Sequence, residues 1–165
     1  MPITRLNHAV LYVRDAERSA RFYTDALGFR VRSRMTMGGG SAFFLVAPGS
    51  HNDHDLGLFS IGAQAAPSRA GAETVGMYHL AWQVDTLDEL DRLRTVLTEA
   101  GALVGASDHG VSKSLYAKDP DGLEFEVMWA VPAHLVDDAV LEASTRIAPL
   151  DIAREKERYG AATTG

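Results

Sequence analysis

The sequence predicts an α+β fold: two βαβββ modules forming a cupped mixed β-sheet, followed by a helical C-terminal arm. Three observations predict it. An apolar, β-favouring motif occurs twice, as Asn7-His8-Ala9-Val10-Leu11-Tyr12-Val13 and as Tyr78-His79-Leu80-Ala81-Trp82-Gln83-Val84. Each copy runs into an acidic residue and a helix-like segment, then into three further strand-like runs. Between the copies lies a Gly/Ala/Pro/Ser-rich stretch, 62–76, with the composition of a linker. The expected organisation is one domain over 1–132, with modules at about 5–62 and 77–130 and the arm at 133–165.

The elements follow in order. The first helix, 15–27, places Ala16, Ala20, Tyr23 and Leu27 on one stripe and stops at Gly28. Strands are expected at 29–35, 41–47 and 55–61. Arg30, Arg32 and Arg34 form a short basic run on a solvated strand face. Gly38-Gly39-Gly40 lacks the spacing and helix of a phosphate loop and reads as a hairpin or cavity rim. The second helix, 86–100, opens with the capping box Thr86-Leu87-Asp88-Glu89 and stripes Leu90, Leu93, Leu97 and Ala100. Strands at 102–106, 112–118 and 123–130 complete the second module. Asp119-Pro120-Asp121-Gly122 is a turn that folds the last two antiparallel. Residues 133–159 read as helix in two pieces broken near Pro149. The arm's Leu135, Val140, Leu141, Ile147, Leu150 and Ile152 need cover, so it is expected to close the cup or to wrap a partner in a homodimer.

Composition narrows the function classes. A chain of 165 residues, 46% hydrophobic and 23% charged, fits one globular domain. A net charge of −6 argues against nucleic acid, whose binding needs clustered Lys and Arg. No run approaches the roughly 20 apolar residues that span a bilayer, and the N-terminal residues lack the pattern of a secretory leader. A cytoplasmic protein with no membrane partner is expected. With no Cys, any metal must be held by nitrogen and oxygen donors.

Strand alternation locates those donors. Ala9, Leu11 and Val13 should pack under the first helix, which turns His8 to the other face; Leu80, Trp82 and Val84 turn His79 the same way. Two histidines at equivalent repeat positions should then meet across a pseudo-twofold axis. In the last strand Leu123, Phe125, Val127 and Trp129 form the apolar face, leaving Glu126 opposite. A turn centred near Asp121 places Tyr116 across from Glu126. Two imidazoles and a carboxylate on one side of an ion form the facial triad of non-haem Fe(II) oxygenases. Tyr12, Phe44, Trp82 and Met128 are candidates for lining an aromatic ligand's cavity.

Over residues 5–130 these features resemble the vicinal oxygen chelate (glyoxalase/bleomycin resistance/dioxygenase) superfamily, and within it the one-domain type I extradiol (catechol 2,3-type) dioxygenases. The resemblance implies metal ligands His8, His79 and Glu126 and a mononuclear Fe(II), with Mn(II) or another divalent ion as alternatives. His54-Asp55-Leu56-Gly57-Leu58-Phe59 is similar to the strand carrying that family's acid–base histidine, which implies the role for His54. Tyr116, ten residues before Glu126, matches the active-site tyrosine, and Asp108-His109-Gly110 resembles the loop of a further active-site histidine, here His109. The implied activity is extradiol cleavage of a catechol-type diol with O2. His51 and His134 are assigned to solvent-facing loop and arm.

Two other classes stay open. One is a different metal enzyme of the same fold, a glyoxalase-type isomerase or a thiol transferase. Glyoxalase-type sites take a further carboxylate from the first module's last strand, and Leu56–Ile61 contains none. The other is a metal-free, ligand-sequestering resistance protein, which has no need of three ligands.

Overall fold

A computed structural model describes residues 2–165. By internal packing the chain divides into two compact units, Met1–Ser68 with Asp119–Gly122, and Arg69–Lys118 with Leu123–Gly165. The first crossing, between Ser68 and Arg69, lies within the 62–76 stretch, and the other two bracket the Asp119–Gly122 turn.

The first unit carries β1 (Ala9–Val13), α1 (Ala16–Leu27), β2 (Arg30–Met37), β3 (Gly40–Val46) and β4 (Leu56–Ser60). Its sheet runs β1-β4-β3-β2, with β1 parallel to β4 and the other pairs antiparallel. Helix α1 starts where Asp15 accepts hydrogen bonds from the Glu17 and Arg18 amides, and it ends at Gly28, whose φ of 72° suits the left-handed cap. The predicted stripe Ala16, Ala20, Tyr23 and Leu27 is buried, as are Leu45, Leu56 and Leu58 on the two strands the helix crosses. Burial raises the Tyr23 phenol well above its ordinary range, with the Asp119 carboxylate adding to it. The turn that carries Asp119 is fastened here too: Asp121 accepts from the Arg14 amide at 2.8 Å and from its guanidinium at 2.7 Å. Arg30, Arg32 and Arg34 lie along the exposed edge strand, as expected, and Gly38-Gly39 closes the β2–β3 hairpin.

The second unit repeats the topology with β5 (His79–Gln83), α2 (Leu87–Glu99), β6 (Leu103–Asp108), β7 (Ser112–Lys118) and β8 (Glu124–Ala130). Strand β5 is parallel to β8, and β8, β7 and β6 follow antiparallel. Leu87, Leu90, Leu93 and Leu97 of α2 are buried, as are Leu115, Phe125, Val127 and Trp129 of the sheet. Ala100 departs from the predicted stripe. It is the exposed C-cap, and Leu87 supplies the fourth buried position. Half of the capping box forms: Thr86 Oγ1 accepts from the Glu89 amide at 3.2 Å. The Glu89 carboxylate turns instead to Arg92, whose guanidinium donates to both its oxygens.

The arm differs from two helices. It has a 3-10 turn (Ala133–Leu135), α3 (Asp138–Ala143), β9 (Ala148–Pro149) and α4 (Ile152–Tyr159). Strand β9 pairs with β6 at Ser107 and Asp108 and becomes the fifth strand and new edge of the sheet. An edge is where a strand tolerates Pro149, which has no amide proton to donate. Val140 and Ile152 are buried within this unit, and the Trp129 indole donates to the Thr163 carbonyl at 3.1 Å. Among the described residues no helix is long and apolar enough to cross a membrane.

Candidate metal centre

Sheet register builds the site of the second unit. Tyr116 is paired with Glu126 across β7–β8, as the turn reading predicts, and Ala81 flanks Glu126 on β5. Alternation then puts His79, Tyr116 and Glu126 on the face opposite the α2 core. Trp82 pairs with Val127 on the core face, so it does not join His79 on the open one.

His79 Nε2 lies 3.1 Å from Glu126 Oε2, and both side chains are largely shielded from solvent. The Tyr116 ring centroid is 5.8 Å from that of His79. Tyr116 Oη is in turn 2.8 Å from His109 Nε2. Four of the expected site residues thus form one contiguous chain, His79–Glu126 and Tyr116–His109, on a single face. Burial raises the Tyr116 phenol above its ordinary value, and the Glu126 carboxylate raises it further. Tyr78, outside the set expected from sequence, lies tilted against His79 with ring centroids 4.7 Å apart. A hydrogen bond with Glu124 raises its phenol.

In the first unit, His8 stands one residue before β1 and is exposed; His54 lies just before β4 and is half-buried. Asn52 draws the two segments together, donating to the Asn7 carbonyl at 2.8 Å and to Asp55 Oδ1 at 2.7 Å. The His8 and His54 rings are consequently 4.4 Å apart, with Phe44 5.1 Å from His54. His54 Nδ1 is 3.1 Å from Asp53 Oδ2, and His8 Nδ1 is 2.9 Å from Asn7 Oδ1. Val10 and Tyr12 continue this face and are 48% and 72% exposed, so it is apolar and open. His51 and His134 are exposed, as expected.

Among the described residues no three His, Asp or Glu side chains stand together as a metal-holding group. The second unit holds a pair, and the pair fits. Two donors each about 2.1 Å from an ion, at a right angle, lie about 3 Å apart, the separation of His79 Nε2 and Glu126 Oε2. Imidazole with carboxylate suits a divalent first-row ion. His79 Nδ1 is buried with no hydrogen-bond partner, a cost the fold bears in keeping this ring on the face of Glu126.

Residues 5–127 match the profile of the Glyoxalase/Bleomycin resistance protein/Dioxygenase superfamily. The chain belongs to this superfamily. Biphenyl-2,3-diol 1,2-dioxygenase 3 of Rhodococcus globerulus is 31% identical to it over 137 residues, covering 81% of this chain and 68% of the relative. Catechol-2,3-dioxygenase of Bacillus subtilis is 29% identical over 130 residues, 75% of this chain and 41% of the relative. The iron-dependent extradiol dioxygenase of Rhodococcus jostii is 29% identical over 134 residues, 73% and 41%. The chain therefore spans about two fifths of the length of the last two. Among solved structures, a glyoxylase/bleomycin resistance protein/dioxygenase domain from Frankia sp. superposes with a TM-score of 0.67 at 24% identity, covering 82% of this chain and 98% of its own. A fosfomycin resistance protein of Listeria monocytogenes gives 0.57 at 18% identity, covering 87% and 99%. At such identities these two likenesses concern the vicinal oxygen chelate fold alone.

Proposed function

We propose that this superfamily member is an extradiol dioxygenase that opens a catechol-type aromatic diol with O2, using one Fe(II) held by His79 and Glu126 with His8 as third ligand. The observation that carries the reading is the pairing of His79 Nε2 with Glu126 Oε2 on the face that also presents Tyr116. When bound, the ion supplies the redox link between an aromatic diol and dioxygen.

The chain's own groups would handle protons and orientation. The Tyr116 phenol, with its pKa raised, stays protonated at neutral pH and can donate to a substrate oxygen. His109 Nε2, hydrogen-bonded to that phenol, keeps its hydroxyl in place. His54, whose Nδ1 is engaged by Asp53, has Nε2 to accept a catechol proton and return it later. Phe44 and Tyr12 offer apolar surface to a ring. Strand β4 carries no carboxylate, so the additional ligand that the resemblance assigns to glyoxalase-type sites is missing. Exposed Leu141 and Ile147 of the arm support a homodimer, which sedimentation would test.

The direct test is oxygen uptake. Protein supplied with Fe(II) under anaerobic conditions and then mixed with a panel of catechols in air should consume O2 and form a yellow ring-opened product. No uptake across the panel would sink the reading.

A further inference from the structure

The most deeply buried charges of the chain play no part in the chemistry above. Lys113 and Glu155 side chains are each 1% exposed, and that of their neighbour Asp108 is 11% exposed. Lys113 lies on β7 in phase with Leu115 and Ala117, on the core face, directly across from Asp108 on β6. Its ammonium is 2.5 Å from Asp108 Oδ1 and 3.1 Å from Glu155 Oε2 on α4, and it donates to the Gly110 carbonyl at 3.1 Å. Asp108 Oδ1 also accepts from the Gly110 amide at 2.8 Å.

Three contacts from the arm thereby converge on the short loop His109-Gly110-Val111 between β6 and β7 and on Asp108 and Lys113, which flank it. The first is the Glu155–Lys113–Asp108 network. The second is β9, whose Ala148 pairs with Asp108. The third is α3, whose backbone leaves no room beside Gly110: at φ +74°, a Cβ there would meet the Ser144 nitrogen at 2.5 Å and the Val140 carbonyl at 2.6 Å. From this clamped loop His109 reaches Tyr116 Oη. Burying ion pairs is costly, and apolar residues of equal volume often stabilise a core as well or better. What apolar residues do not supply is a fixed orientation for the loop.

We propose that Glu155, Lys113 and Asp108 are positioning residues, through which the C-terminal helix holds His109 against Tyr116 and so sets the proton-handling pair of the site. The catalytic consequence rests on the dioxygenase reading; the placement of His109 does not.

The test follows the His109 ring signal by NMR in the full chain without added iron, with Tyr116→Phe marking where that signal lies when the hydrogen bond is absent. Glu155→Gln and Gly110→Ala should each move it at least halfway to that mark. Lys156→Ala, which breaks only the contacts of α4 with Asp88 and Asp91 on α2, should leave it in place. In the iron-loaded protein, Glu155→Gln should lower kcat about tenfold with KM within twofold. Folded Glu155→Gln and Gly110→Ala proteins with the wild-type His109 signal would overturn the proposal. So would a Lys156→Ala signal displaced as far as that of Glu155→Gln, since any loosening of the arm would then suffice. A wild-type protein inactive on every catechol, with the signals moving as stated, would count against the dioxygenase reading and still support the positioning.

Discussion

His79 and Glu126 are brought together by strand alternation and register, and both rules can be read from the chain alone. His79 is out of phase with Leu80 and Trp82, and Glu126 with Phe125 and Val127, so each faces away from its helix. The Tyr116–Glu126 pairing followed from the Asp119–Gly122 turn in the same way. The bond between His109 and Tyr116 was not legible, because it depends on how the β6–β7 loop is held by residues of the distant C-terminal arm, from Val140 to Glu155. Lys113 did leave a trace: a lysine in phase with Leu115 and Ala117 is a charge on a core face, and such a residue calls for a buried carboxylate. Tyr116→Phe should leave metal binding unchanged and lower kcat about tenfold, as steady-state oxygen uptake would show; an unchanged kcat would deny the phenol its role.

Helices and strands were the most legible scale, since each carries its own period and punctuation. Asp15 at the start of α1 accepts two amide hydrogen bonds, so Asp15→Ala should cost about 1 kcal/mol in urea unfolding. The errors occurred where a neighbour outbid local chemistry. Glu89 left its capping box for Arg92, and β9 formed because the edge of β6 was free to be paired. The clamp between α4 and α2 carries a pH signature. The Lys156 hydrogen bond is the main cause that holds the Asp91 carboxyl below its ordinary pKa, and Lys156 is raised in return. A carboxyl lowered on folding adds stability that is present above its unfolded pKa, about 3.9, and fades as pH falls through the folded value. A lysine raised on folding adds stability present below about 10.4 and lost above it. Lys156→Ala should therefore destabilise by up to about 1 kcal/mol at pH 7, and the difference from wild type should shrink as pH falls below about 3.9. A gap that persists there would show that the lysine acts through packing alone.

At the scale of the whole molecule, the duplicated βαβββ pattern gave the architecture, because two copies of one motif in one chain fold by the same rules. The arm was harder to place. Its apolar residues required cover, yet composition does not say which surface supplies it, and Val140, Ile152 and Tyr159 found it on their own unit. Removing residues 133–165 should expose Trp129, which is fully buried and packs 5.4 Å from the Tyr159 ring. Tryptophan emission should shift to the red and cooperative unfolding should be lost; a truncated chain with native emission would mean that the arm is an appendage.

The second unit is expected to hold a metal ion through the His79–Glu126 pair. Anaerobic equilibrium dialysis against Fe(II) measures this without reference to any substrate. About one ion per chain is expected for the wild type, and a loss of affinity of at least tenfold for His79→Ala and for Glu126→Gln. Binding by both variants equal to the wild type, or no binding by any of the three, would contradict it.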